Sequence, residues 1–185
     1  MPWPTNSRTT PKPFPSARLA DGDILSVDCG VLLDGFYGDA ATTFGIGSVT
    51  AEAARLMDTA HRCLDDAVAA VAPGSRLGDV GAAVQARAEG EGFGVVREFV
   101  GHGIGRALHE DPQVPNYGVP GHGQIMKPGL VIAIEPMITA GGWRVRVDSD
   151  GWTARTEDGK LAAHFEYSVA VTADGRRVLG VDGEC

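Results

Sequence analysis

The sequence predicts an α+β fold organised around an antiparallel sheet. Three observations carry this: two strand-forming runs around an Asp-Gly pair, two segments with helical spacing after them, and a strand-rich last third punctuated by more Asp-Gly pairs. The first runs, Ile24 to Leu33 and Phe36 to Phe44, are joined by Asp34-Gly35, which suits a type I′ turn because both central residues need positive φ. Thr50 caps a helix whose apolar positions Ala53, Met57, Ala60, Leu64, Ala67, Val68 and Val71 recur at helical spacing, and Pro73-Gly74 stops it. Ser75 caps a second helix bearing Leu77, Val80, Val84 and Ala88, which ends at Gly90 and Gly92. Asp58, Asp65 and Asp66 lie on the first helix, and His61 beside them reads as surface. Strands return over Leu130 to Ile138, Trp143 to Val147, Trp152 to Thr156, Leu161 to Thr172 and Arg177 to Leu179, with Asp-Gly turns at 150-151, 158-159 and 174-175.

Composition narrows the function classes. With 185 residues and 43% hydrophobic content, the chain suits one globular domain with a real core. A net charge of −8 without a Lys/Arg cluster argues against a nucleic-acid partner. No apolar run is long enough to cross a bilayer, and no secretory signal pattern opens the chain. Cys29, Cys63 and Cys185 are scattered, which fits a reduced, cytoplasmic setting and not a structural zinc knot. Residues 1–15, with five prolines, read as an extended or disordered tail, and the globular domain as 16–185.

Chemistry concentrates in three clusters. With Asp34-Gly35 as the turn, Gly30 lies opposite Asp39 and Asp28 is two residues along, so the two acids share a face as diagonal neighbours, roughly 7–8 Å apart at most. Carboxylates paired this way repel unless a cation sits between them, although a solvated acidic hairpin is the alternative on these residues alone. The second cluster, Gly101-His102-Gly103-Ile104-Gly105-Arg106-Ala107-Leu108-His109-Glu110-Asp111-Pro112, lacks the spacing and the strand–helix context of a nucleotide-binding loop. Its glycines let the backbone fold tightly and expose an imidazole, a natural ligand for divalent transition metals. The third is Glu135 within the apolar run Val131 to Met137, a carboxylate that is rare inside a buried strand unless paired or metal-bound. Glu166 repeats the theme on a later strand. Either glutamate alone could face solvent.

The order Asp28, Asp39, His102, Glu135, Glu166, with GHGIGRALHEDPQVPNYG, AIEPM and DGWTARTEDGKLAAHFEYSVAVT, resembles type I methionine aminopeptidase of the pita-bread fold, from about Ser16 to the C-terminus. That resemblance implies helices on the outer face of a curved antiparallel sheet and two divalent ions drawn from manganese, cobalt, iron or zinc. It implies that Asp28 chelates one metal, that His102 and Glu135 bind the other, and that Asp39 and Glu166 bridge them. Four carboxylates would balance two such cations in charge. The pair would lower the pKa of a bound water to give the hydroxide that attacks the scissile carbonyl. His109 would contact substrate and stabilise the tetrahedral intermediate, Glu135 would shuttle a proton, and Leu108, Met137 and Trp152 would build a methionine pocket.

The partners implied are the N-termini of nascent peptides and proteins, at the ribosome, with the chain a monomer. Two departures stand out. The family carries a substantial segment, with a further histidine, before its first metal hairpin, where this sequence has the proline-rich stretch and no histidine before His61. Exposed apolar surface is the expected consequence. Tyr167 also stands where a histidine commonly follows the second bridging glutamate. Two other readings remain at this point: a pita-bread module that binds metal or peptide ends without turnover, and a related Xaa-Pro peptidase.

Overall fold

The structure, a computed structural model, describes residues 18–180. The proline-rich stretch 1–15 and Cys185 lie outside the described residues. Strands β1 (Ile24–Leu33) and β2 (Phe36–Gly45) form the anticipated hairpin. Asp34 and Gly35 have φ of 49° and 82°, as a type I′ turn requires, and the register sets Gly30 opposite Asp39 and Asp28 opposite Ala41.

Helix α1 (Ala51–Ala69) starts at Thr50, whose hydroxyl accepts the Ala53 N–H at 3.1 Å. Helix α2 (Leu77–Gly90) starts differently from expectation, with Arg76 in the capping position. The Arg76 N–H donates to Asp79 Oδ2 at 2.7 Å, so an acid one turn in supplies the cap. Ser75 turns back instead, its hydroxyl accepting the Ala72 N–H and donating to the Ala72 carbonyl, which closes the turn after α1. The helices pack on each other and on the sheet through Leu56, Leu64, Val80, Val84, Ile132 and Val169, all buried.

Three short strands follow that the sequence reading does not include: β3 (Gly94–Val95), β4 (Gly101–Gly103) and β5 (Glu110–Val114). β3 and β4 are too short and glycine-rich to show a periodicity, and β5 is polar with a proline at its centre. Two expected strands are each broken in two. The run Leu130 to Ile138 splits at Glu135-Pro136 into β6 (Val131–Ile134) and β7 (Met137–Thr139). After β8 (Val145–Val147) and β9 (Ala154–Thr156), a separate two-stranded ribbon, the run Leu161 to Thr172 splits at Phe165 into β10 (Ala162–His164) and β11 (Glu166–Val171). Strand β12 (Arg176–Val178) pairs with β11.

Both breaks carry the chain between the same two sheets. The large sheet runs β1-β2-β11-β6-β4-β5, and the small one runs β10-β7-β3, with antiparallel neighbours throughout. Pro136 has no N–H for a ladder, so pairing stops there. Its carbonyl accepts the Phe165 N–H at 3.3 Å, which ties the two crossings together. Glu135 and Glu166 therefore stand side by side on the seam.

The expected exposed apolar surface is present. On the helix-side face of the hairpin, Val27, Val31, Leu33, Phe36 and Phe44 are all exposed, Leu33 to 70%. No helix among the described residues is long and apolar enough to cross a membrane.

Candidate metal centre

Register explains how residues far apart in sequence meet. Gly30, Asp39, Ala133 and His102 fall in one row across the large sheet, with Ser168 opposite Ala133 and next to Asp39. Two residues along each strand, on the same face, come Asp28, Ala41, Glu166 and Glu135. Gly30 and Ser168 flank Asp39 in the first row, Ala41 separates Asp28 from Glu166 in the second, and these small residues leave the carboxyls room to converge. All five residues singled out as ligands project from this face or its seam.

The cluster has unmet polar capacity. One ligand atom each from Asp39, His102 and Glu166 lie within 4.8 Å of one another. Asp39 Oδ1 and Glu166 Oε1 are buried without a hydrogen-bond partner, as is His164 Nε2 beside Glu166 Oε2 at 3.9 Å. His102 lies 2.9 Å by Nδ1 from the Gly103 carbonyl, which can only accept, so Nδ1 holds the proton. Its Nε2 lone pair then faces Glu135 Oε1 at 3.5 Å and Asp39 Oδ2 at 4.0 Å. A lone pair aimed at two carboxylates is unfavourable unless a proton or a cation lies between, and the donor set of oxygens with one imidazole fits a divalent transition metal.

The acid–base properties tell the same story. Asp28 is pushed up to about 6, first by loss of hydration and then by the neighbouring Asp39 charge. Asp39 rises through burial. Glu135 and Glu166 are held well above the usual carboxylate range by burial and by the other carboxylates around them. His102 is lowered by burial, and His109 by burial and then by His102. Without a cation, burial favours the protonated form of Glu135 and Glu166 and the neutral form of the imidazoles.

His102 is buried, contrary to the expectation that its glycines expose the ring. A Cβ on Gly101 would lie 2.2 Å from the Ala133 carbonyl oxygen, and one on Gly103 would lie 2.2 Å from that of Asp111. The glycines admit neighbouring strands, not solvent. His109 sits in the loop after β4 with its ring edge-on to His102, 4.4 Å between centroids. That loop is fixed to the hairpin by the Tyr37 N–H donating to the Gly105 carbonyl at 2.7 Å and by Arg106 lying over Phe36.

Leu108 reaches the space beside Gly30 and Asp39. Met137 opens β7, opposite His164 on β10. Trp152 is half exposed in the turn of the β8–β9 ribbon, outside the sheets that carry the acids. The sequence reading missed three supports. The Asn116 amide donates to the Glu135 carbonyl at 3.1 Å, the Thr43 hydroxyl bonds both backbone groups of His164, and Ser168 does the same for Asp39. A buried Asn after a proline in a loop was the one signal available for any of them.

Rigid strands present four carboxylates and one imidazole on a common face, with a lone pair and two carboxylate oxygens unmatched, and this is a candidate metal centre of the kind that metallohydrolases use. The chain belongs to metallopeptidase family M24, whose family model matches residues 3–173. It is 48% identical over 167 residues to the methionine aminopeptidase of Clostridium perfringens, covering 90% of this chain and 67% of that one. Methionine aminopeptidase A of Synechocystis is also 48% identical, over 161 residues, 87% of this chain and 64% of the relative. The chain thus spans about two thirds of the length of these relatives. The crystal structure of methionine aminopeptidase from Thermotoga maritima matches with a TM-score of 0.84 at 47% identity, covering 85% of this chain and 64% of that one. Prolidase from Pyrococcus furiosus, at 22% identity and a TM-score of 0.67, shares the pita-bread fold.

Proposed function

We propose that the chain is a metal-dependent aminopeptidase that removes N-terminal methionine from peptides and proteins. The observation that carries this is the convergence of Asp28, Asp39, His102, Glu135 and Glu166 on one face with unmatched ligand atoms, in a chain 48% identical to methionine aminopeptidases. In this reading Asp28 would hold one of two divalent ions, His102 and Glu135 would hold the other, and Asp39 and Glu166 would serve both. Bound there, manganese, cobalt, iron or zinc would activate water and polarise the scissile carbonyl.

The chain's own residues do the rest. Asp28, at the rim of the cluster, leaves its side open to a substrate amine. His109, neutral and fixed beside His102, donates to the oxygen that gains charge during attack. Glu135, 3.5 Å from His102 Nε2 on the seam, carries a proton toward the departing amine. Leu108, Met137 and Trp152 shape an apolar pocket for the methionine side chain. The partners are then free N-termini of newly made chains in the cytoplasm.

Incubation with manganese or cobalt and Met-Ala-Ser tests this directly. Release of methionine, with Ala-Pro substrates untouched, is the expected result. Cleavage of Ala-Pro alone would replace the proposal with an Xaa-Pro peptidase, and metal binding without hydrolysis would replace it with a binding module.

A further inference from the structure

The β2–β11 ladder stops one residue short of Asp39. Backbone pairing covers Glu166 with Ala41 and Tyr167 with Ala40, and the next register pair is Ser168 with Asp39. There, the Ser168 side chain replaces the strand. Its hydroxyl oxygen accepts the Asp39 N–H at 3.0 Å, and its proton goes to the Asp39 carbonyl at 2.9 Å. One buried hydroxyl, 3% exposed, therefore satisfies both backbone groups of a residue whose Oδ1 is buried without a partner. Ser168 lies on the same strand as Glu166, two residues on and on the same face, so the clamp ties the Asp39 backbone to the strand that presents Glu166.

We propose that Ser168 is a positioning residue of the metal centre: its hydroxyl sets the distance and angle at which Asp39 meets Glu166, and thereby tunes metal affinity and coordination geometry. This inference rests on the metal-centre reading above. Thr43 holds the other end of the ladder in the same manner. It donates to the His164 carbonyl at 2.7 Å and accepts the His164 N–H at 2.9 Å, so Ser26, 2.7 Å away, is the donor to Thr43. Thr43, however, acts on the residue before the seam, whereas Ser168 acts on an acid of the cluster itself. Both hydrogen bonds of the Ser168 hydroxyl go to the Asp39 backbone and not to its carboxylate, which separates its role from that of a ligand.

The test compares wild type with Ser168→Ala and Ser168→Thr, using cobalt(II) chloride alone as the probe. Calorimetry gives the affinity, and the visible absorption of the cobalt-saturated chain reports coordination geometry. We expect Ser168→Ala to bind cobalt about 10–100-fold more weakly, the range typical when a group that orients a metal ligand is lost, and to show an altered visible band. Ser168→Thr, which keeps the hydroxyl, restores both to near wild type. A purely structural role would lower the melting temperature of the metal-free chain but leave the band at saturation unchanged, and that outcome overturns the proposal. So does weakening by Ser168→Thr equal to that by Ser168→Ala, because bulk and not the hydroxyl would then be responsible. If Ser168→Ala does not fold, Ser168→Cys, which keeps volume and only a weak donor, takes its place with the same expected loss. Wild type that binds no cobalt overturns the metal-centre reading and this inference together. Wild-type binding with an unchanged Ser168→Ala overturns this inference alone.

Discussion

Gly30 faces Asp39 across the hairpin so closely that a Cβ on Gly30 would lie 3.5 Å from Asp39 Oδ1 and 3.3 Å from Leu108 Cδ1. A single methyl fits there if the end of the Leu108 side chain gives by a few tenths of an ångström. A branched side chain does not, because its extra carbons enter the space into which the carboxylate opens. Gly30→Ala should keep manganese affinity within a few-fold, while Gly30→Val should weaken it at least tenfold. Valine is a good strand residue, so the hairpin itself should survive. Calorimetric titration with manganese, beside circular dichroism, checks both halves, and equal affinities for the two variants would count against the crowding argument.

Much of this site was legible in the sequence, and the illegible part has a physical cause. Ionisable residues in apolar or glycine-rich surroundings announce themselves, because burying a charge is costly enough to demand a reason. Asp-Gly at the hairpin tip fixed the register of Asp28 and Asp39, since a two-residue turn leaves no freedom. What did not show was the set of small residues between the acids. Ala41, Ala133 and Ser168 are individually unremarked strand residues, and only the strand order β2-β11-β6-β4 makes them neighbours of ligands. Pro136 signalled a strand end after Glu135, but the break at Phe165 was hidden for the same reason. An apolar run reads as one strand until the partner sheets are known.

Asn116 carries a prediction about stability. Its buried amide donates to the Glu135 carbonyl at 3.1 Å and to the Phe99 carbonyl at 3.4 Å. Pro136 follows Glu135 and removes a donor from the seam, so the Glu135 carbonyl depends on this side chain. Asn116→Ala leaves a buried acceptor without its partner, which typically costs about 1–3 kcal/mol. Urea denaturation of the metal-free chain should show a lower midpoint at unchanged slope.

Metal-free stability should fall as pH rises above neutrality. Glu135 and Glu166 have folded-state pKa values well above their unfolded ones, so the folded chain binds more protons than the unfolded chain in between. Stability from such groups is present at low pH and is lost as pH climbs through the folded values. The buried histidines act in the opposite sense, because His164 is lowered to about 4 and His102 and His109 are also lowered, so their contribution falls away below about 6.5. Above about pH 7.5 those imidazoles are neutral in both states, and the carboxylates alone govern the slope among this group. In EDTA, the melting temperature of wild type should therefore drop between about pH 7.5 and 9 by more than that of Glu166→Gln, which cannot ionise. Parallel curves for the two proteins would mean that the acids are not held protonated.

Asp39 and His109 should separate binding from turnover. Asp39 contributes a carboxylate to the centre of the cluster, within 4.0 Å of His102 Nε2, and its loss would take an oxygen donor and one negative charge from the proposed metal centre. Asp39→Ala should abolish manganese binding at concentrations that saturate wild type, and with it the thermal stabilisation that manganese confers. His109 is different. It leans on His102 ring to ring without belonging to the group of Asp39, His102 and Glu166 whose ligand atoms converge. His109→Ala should keep manganese affinity within a few-fold and lower kcat on Met-Ala-Ser by about 10²–10³, the usual effect of removing one preorganised donor to a developing oxyanion. An unchanged kcat would take His109 out of the reaction, and lost manganese binding would make it a support of His102 instead.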